Sequence, residues 1–243
     1  MSTTTGTSHC IRSRSVCERS STRWLAVFFL VYGLWVLLPF LAPVFMHFSW
    51  SSAGKAIYFL YSFFCHQLPE RSFFLFGEKS MYSLCEIQAA CQDTINPLIL
   101  RKFIGNEAMG WKVAWSDRMI SFYTSIWLFA NPWTRFRRIN RPLAWWKFVL
   151  LLLPLIIDGI SHAISDLSGI GQGFRDTNQW LAVLTSNFFF ASLYIGDAFS
   201  SFNSIARFIT GSIAGFGLVW FAFPYLEDSF GKNESKNKDH FGG

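Results

Sequence analysis

Cys65 and His66 stand side by side in the string Phe64-Cys65-His66-Gln67-Leu68-Pro69-Glu70-Arg71-Ser72-Phe73. A thiolate and a neutral imidazole are common ligands of zinc, and a closed structural site usually takes four such groups. Cys85 and Cys91, six residues apart, and His162 could complete a set around zinc or another transition metal. Other readings compete. Cys65 could be a small buried side chain with His66 hydrogen-bonded at an interface, and Cys85 could pair with Cys91. The chain's five cysteines show no disulfide-scaffold spacing, and two of them, Cys10 and Cys17, fall in a Ser/Thr/Arg-rich tail.

A second constellation is ionic. Glu70, Arg71, Asp117, Arg118, Asp158, His162, Asp166, Arg175, Asp176, Asp197 and Arg207 flank or interrupt apolar segments. Ionisable groups at membrane depth are expensive and face a bundle interior or a wet cavity. They could line a ligand or ion pathway, or form a lattice that fixes the helices. The near balance of signs favours the lattice, since a cation path would more often show excess carboxylate.

Other motifs have plainer explanations. Gly169-Ile170-Gly171-Gln172-Gly173-Phe174-Arg175 lacks the Lys-Ser/Thr ending and the preceding strand of a phosphate loop, so it reads as a flexible turn. Thr210-Gly211-x-x-x-Gly215 is a small-residue stripe suited to close helix packing. No Gly-x-Ser-x-Gly, His-Glu-x-x-His, heme or iron–sulfur motif occurs, so no catalytic arrangement emerges, although membrane enzymes can assemble sites from separated residues.

The elements that must carry these residues are membrane helices. Of 243 residues 51% are hydrophobic and only 15% charged, with 28 Phe and 11 Trp. A soluble domain carries about 25% charge, and so many aromatics would overfill a soluble core of this size. The net charge of +6 is not a nucleic-acid footprint. Its arginines and lysines cluster beside apolar runs, at Arg12 to Arg23, Arg135 to Arg141 and Lys232 to Lys238, as cytoplasmic flanks do.

Residues 24–48 form the first span, an uncleaved anchor with Pro39 and Pro43 inside it. Residues 56–64 are too short to cross, since crossing takes roughly 20 residues. They end at the Cys-His-Gln string, after which the chain either continues as one kinked helix or turns back. Residues 77–115 read as a polar loop with a short helix around Cys85 and Cys91. Further spans are expected at 118–133, 144–161 and 204–225. Residues 179–199 are also apolar. If the basic loop 135–141 is cytoplasmic and the C-terminus is inside, that last segment cannot cross.

The Cys-His-Gln-x-Pro-Glu-Arg-Ser string resembles domain of unknown function 2085, a family of predicted bacterial and archaeal membrane proteins. The resemblance continues through Asp158-Gly159 and through Asn203-x-x-x-Arg207-x-x-Thr210-Gly211-x-x-x-Gly215, and covers roughly residues 55–225. It implies architecture and no reaction. Many members carry Cys-x-Arg-Cys or Cys-x-Arg-Asp where this chain has Ser116-Asp117-Arg118-Met119, so two potential ligands are missing. Shorter members lack most of residues 163–200, which implies that this insertion leaves and returns on one side.

The reading is therefore an all-α polytopic membrane bundle of four to five crossings, with re-entrant or interfacial helices. Residues 1–23 and 227–243 are expected to be disordered cytoplasmic tails. Residues 24–226 form one transmembrane domain, with 77–116 and 163–200 as outer-face loops. A polar site on the non-cytoplasmic face is expected from Cys65, His66, Gln67, Glu70, Arg71, Asp117, Arg118, Asp158, His162, Asn203 and Arg207, with Cys65 and His66 as the metal candidates. The expected partners are the lipid bilayer and other membrane subunits, not nucleic acid. An accessory or ligand-binding protein fits best. A small-solute transporter is disfavoured by the lack of internal repeats, and a redox enzyme using Cys65 and His66 is the other alternative.

Overall fold

In the computed structural model the backbone is described for residues 6–136 and 141–241, and side chains for 23–136 and 141–230. Arg137 and Arg138 of the basic loop, and the side chains of the N-terminal arginines before Arg23 and of Lys232, Lys236 and Lys238, lie outside the described residues.

Helix α1 (Gly6–His47) contains both prolines of the first apolar run. Pro39 has no N–H to give the carbonyl of Trp35, one turn earlier. The Tyr61 hydroxyl donates to that carbonyl instead, at 2.8 Å. Tyr61 lies at the end of α2 (Ser51–Tyr61), which folds back on α1 so closely that a Cβ at Gly54 would meet Met46 Sδ at 2.7 Å. At eleven residues α2 reaches about 16 Å, half of what a crossing needs.

The chain then turns through Cys65–Gln67 and a 3-10 turn at Pro69–Arg71 into β1 (Ser72–Leu75). Two short helices, α3 (Leu84–Ala90) and α4 (Pro97–Leu100), precede β2 (Gly105–Asn106) and β3 (Gly110–Ser116). The strands form an antiparallel sheet in the order β1-β3-β2. Gly110 has φ +74, and a Cβ there would sit 2.2 Å from the Leu75 carbonyl, so only glycine fits where β3 meets β1. The fold is thus not all-α. The segment 77–116, expected to be a polar loop with a short helix around Cys85 and Cys91, supplies that helix as α3, a second one in α4, and most of a sheet that covers a small core of Leu68, Phe74, Tyr82, Ile87 and Leu100.

Helix α5 (Asp117–Phe136) continues directly from β3. It is followed by α6 (Trp145–Asp166), the short α7 (Phe174–Thr177), α8 (Gln179–Leu184) and α9 (Ala191–Tyr194), and the long α10 (Phe202–Phe241). With six and four residues, α8 and α9 are each far too short to cross a bilayer. Helix α1 begins at Gly6 and α10 ends at Phe241.

Arg23–His47, Trp145–Asp166 and Phe202–Phe230 are long and apolar enough to cross a membrane, against the four or five crossings expected. The burial pattern of α6 inverts that of a soluble protein. On α6 the inward residues are Asp158, His162 and Ser165, one helical face, while Val149, Leu153, Ile157, Ile160 and Ile164 are exposed. A helix with a polar inner stripe and an apolar outer surface requires an apolar solvent.

Helices α5 and α10 pack at the small-residue stripe. A Cβ on Gly211 would lie 2.2 Å from Ser121 Oγ, and one on Gly215 would lie 1.9 Å from Ser125 Oγ and 2.9 Å from the Phe122 carbonyl. One end of the bundle is closed by aromatics. Trp24 meets Trp133 at 6.2 Å and Phe223 at 5.6 Å, edge to face. There Pro224 frees the Trp220 carbonyl, which accepts from the Leu143 amide at 3.2 Å. The opposite end gathers the ionisable residues.

Candidate functional site

Five chain segments meet at that opposite end: the Cys65–Arg71 turn, the start of α5, the second half of α6, the insertion 167–201 and the start of α10. An alternating chain of arginines and aspartates joins them. Asp166 accepts from Arg71 Nη1 at 2.8 Å and Nη2 at 2.7 Å, a two-pronged pairing. Arg71 Nε donates to Asp197 Oδ2 at 2.8 Å. Asp197 Oδ1 accepts from Arg207 Nη1 at 2.7 Å, and Arg207 Nε donates to both oxygens of Asp117 at 2.8 Å.

A second branch runs through Asp158. Its Oδ2 accepts from Arg118 Nη2 at 2.6 Å and its Oδ1 from Arg175 Nη2 at 2.8 Å. His162 Nε2 links the branches, lying 3.2 Å from Arg175 Nη2 and 3.4 Å from Arg207 Nη1. A guanidinium can only donate, so Nε2 accepts and the ring proton sits on Nδ1. That Nδ1 is buried without a partner.

The insertion is fastened by the same chemistry. Asn203, fully buried at the start of α10, donates to the Arg175 carbonyl at 2.7 Å and the Gly196 carbonyl at 3.0 Å. Asn178, in the left-handed region at φ 42, donates to the carbonyls of Arg175 and Tyr194 and to Asn203 Oδ1. The Arg175 guanidinium also lies over the Phe202 ring, 5.3 Å from its centre.

The surroundings tune the groups outside the spans. Burial alone would raise the Asp197 carboxyl, but Arg207 and Arg71 outweigh it and hold it well below the usual range. Burial would lower Arg71, and Asp197 and Asp166 reverse that to keep it charged. Glu70 is different. It is buried, neither oxygen has a hydrogen-bond partner, and its nearest cation is Arg71 Nε at 4.0 Å. Burial pushes its carboxyl up to about 7, with Arg71 only partly offsetting this. Lys112, fully buried in β3, donates from Nζ to the carbonyls of Gln67 and Arg101, each at 2.7 Å, and burial pushes it down to about 7.

Between these segments lies a cavity of about 350 Å³, at the small end of ligand pockets. Cys65, His66, Gln67, Arg71, Asp117, Arg118, His162 and Arg207 line it, while Asp158 stands behind Arg118 and Asn203 anchors the insertion. Glu70 is buried beside Arg71 and is not part of the lining.

The metal expectation is not supported. Among the described residues no group of three or more His, Cys, Asp or Glu side chains is placed to hold an ion. Cys65 Sγ accepts from the amides of Gln67 and Ser116, each at 3.4 Å, while His66 is exposed. Cys85 and Cys91 are exposed and unpaired, so the alternative disulfide is absent too.

Comparison with known proteins pairs the chain with an uncharacterized protein of Methanocaldococcus jannaschii, MJ1492. The two are 26% identical over 213 residues, which cover 83% of this chain and 92% of that protein. No family model matches the chain. No solved structure matches it.

Sequence reasoning passed over Lys112 and Asn178. Lys112 carried a signal, a lone lysine in the apolar run Trp111-Lys112-Val113-Ala114-Trp115, where a solvated lysine would have no place. Asn178 carried none, since its role depends on a left-handed turn inside the insertion.

Proposed function

We propose that this is a multi-pass cell-membrane protein that holds a small polar solute in a pocket at the non-cytoplasmic end of its bundle, as a binding protein or an accessory subunit of a membrane complex. The single observation that carries this reading is the cavity itself. Its wall is assembled from segments far apart in sequence and is held open by a continuous ion-pair lattice.

Four crossings, α1, α5, α6 and α10, give a consistent topology. At 20 residues α5 reaches about 30 Å, enough to span. The basic loop between α5 and α6 then lies inside with both termini. The Trp24–Trp133–Phe223 cluster marks the cytoplasmic end and the pocket the outer one. Helix α2 stays at the outer face, as do α8, α9 and the segment that joins them, where exposed Trp180, Val183, Leu184, Phe188 and Phe190 suit the headgroup boundary. Membership of the domain of unknown function 2085 family fits the same arrangement, because Arg71, Asp158 and Arg207, three of the residues that carry the resemblance, take part in the ion pairs.

A binding role is favoured over a conduit. Below the cavity α5 and α10 touch at Gly211 and Gly215, and aromatics fill the bundle beyond. Protein purified in mild detergent should release a solute on denaturation, identified by mass spectrometry, and Gly159→Leu, which grows a side chain from the cavity wall, should release less than a tenth as much. Equal release from both proteins, or none from either, would refute the pocket.

A further inference from the structure

Resting on that pocket, we propose that its ligand is a small oxyanion, a carboxylate or phosphate group, received by Arg118 at the first turn of α5. The argument turns on which wall groups still have hydrogen-bonding capacity to spend. The carboxylates are each already matched to a guanidinium. Both oxygens of Asp117 accept from Arg207, and both oxygens of Asp166 accept from Arg71. The other two wall arginines are likewise committed, Arg71 to Asp166 and Asp197, and Arg207 to Asp117 and Asp197.

Arg118 is the exception. Among the described residues its side chain donates only through Nη2, to Asp158. Nε is buried without a partner, and Nη1, 3.6 Å from where a Cβ on Gly159 would stand, makes no hydrogen bond to the described residues. Asp158 is itself shared with Arg175, so one carboxylate serves two guanidinium groups. This part of the lattice is short of negative charge where it meets the cavity, and an oxyanion would supply it. Nη1 and the second proton of Nη2 form the open end of a planar guanidinium, which matches a carboxylate or phosphate edge better than it matches any neutral group.

Three further features point the same way. Asp117 to Met119, the start of a 20-residue helix, form one side of the cavity, so its positive end faces the ligand. His162, 3% exposed in its side chain, has an unpartnered Nδ1–H in the same wall. Leu68, Pro97, Met119 and Ile170 complete the lining and leave room for a short apolar body rather than a second charge.

The shared chemistry could reach the pocket as a free solute or on a lipid headgroup, and the test separates them. The full chain in neutral detergent would be titrated with acetate and inorganic phosphate at constant ionic strength against chloride, following Tm. In parallel it would be placed in neutral-lipid nanodiscs with and without phosphatidic acid. The expected result is a saturable rise in Tm with an oxyanion, weakened about tenfold or more in Arg118→Gln, the loss of one charge-assisted contact, and partly restored in Arg118→Lys. A rise with phosphatidic acid alone identifies the headgroup as the source and sustains the proposal. Gly159→Leu, which leaves every ion pair intact, should abolish the response even if Arg118→Gln does not fold. The absence of any saturable response in both settings, or a response that Gly159→Leu retains, would overturn it. Release of a cationic or neutral solute that depends on Gly159 would keep the pocket and overturn the oxyanion.

Discussion

Arg207→Met is expected to destabilise the protein by about 3–5 kcal/mol, the scale on which a buried ion pair responds to loss of one partner. The arginine is 2% exposed and donates to Asp117 and to both the side chain and the carbonyl of Asp197. Methionine fills similar volume, so the loss is electrostatic rather than a cavity. Asp197 would keep Arg71, but Asp117 would keep only the Arg118 amide, at 2.8 Å. The cost is therefore mainly an uncompensated carboxylate. Adding Asp117→Asn to the methionine variant should recover a substantial part of it, whereas Arg207→Lys should recover little, because an ammonium cannot bridge two carboxylates as a fork does. Thermal unfolding in detergent should show a fall in Tm on the order of 10 °C. A change within about 1 kcal/mol of the original protein would mean that the lattice does not hold these helices.

The long apolar helices were legible because their signal is long. A 25-residue segment from Arg23 to His47, apolar between its ends, reads as one membrane-spanning helix. The sheet was not legible. Phe73-Phe74-Leu75 is an apolar run too short to distinguish a period of two from one of 3.6, and it read either as a kinked helix continuing past Pro69 or as a chain turning back. Its partner strand lies nearly forty residues away, and nothing local announces that pairing. Residues 179–199 were expected not to cross, and the helices they form, α8 and α9, are at six and four residues too short to span a bilayer.

The site divides in the same way. Asp117, Arg118, Asp158, His162 and Arg207 were recognisable because ionisable residues beside apolar spans need partners, and the structure supplies those partners. The metal reading failed for a reason invisible in sequence. The Cys65-His66-Gln67 turn bends so that the Gln67 amide points at the sulfur and the imidazole points outward, and Gln67 itself has φ 54.

Glu70→Gln is expected to stabilise the protein at alkaline pH. The carboxyl is buried, with Arg71, Asp197 and Lys112 the charged groups that act on it. Its folded pKa, about 7, lies above the unfolded value of 4.5. The protonated form is therefore preferred by the fold, and its contribution is fully present below 4.5 and lost as pH rises through 7. The separation corresponds to about 3 kcal/mol once the group is ionised in both states. Glutamine has the same shape and no charge to bury. Unfolding measured across pH should show the variant gaining on the original protein by on the order of 2–3 kcal/mol at pH 8, with the gain shrinking toward zero near pH 5. A variant that is less stable than the original protein at pH 8 would mean that Glu70 is held as an ion by Arg71 and Lys112.

The account stands on the pocket opening to the non-cytoplasmic side, and thiol labelling reads that directly. In a cysteine-free background, His66→Cys places a thiol at the exposed rim of the cavity, and Ile139→Cys places one in the basic loop between α5 and α6. A membrane-impermeant maleimide added to intact cells should label position 66 and leave position 139 unmodified until the cells are lysed. Labelling of position 139 in intact cells, with position 66 protected until lysis, would contradict the account.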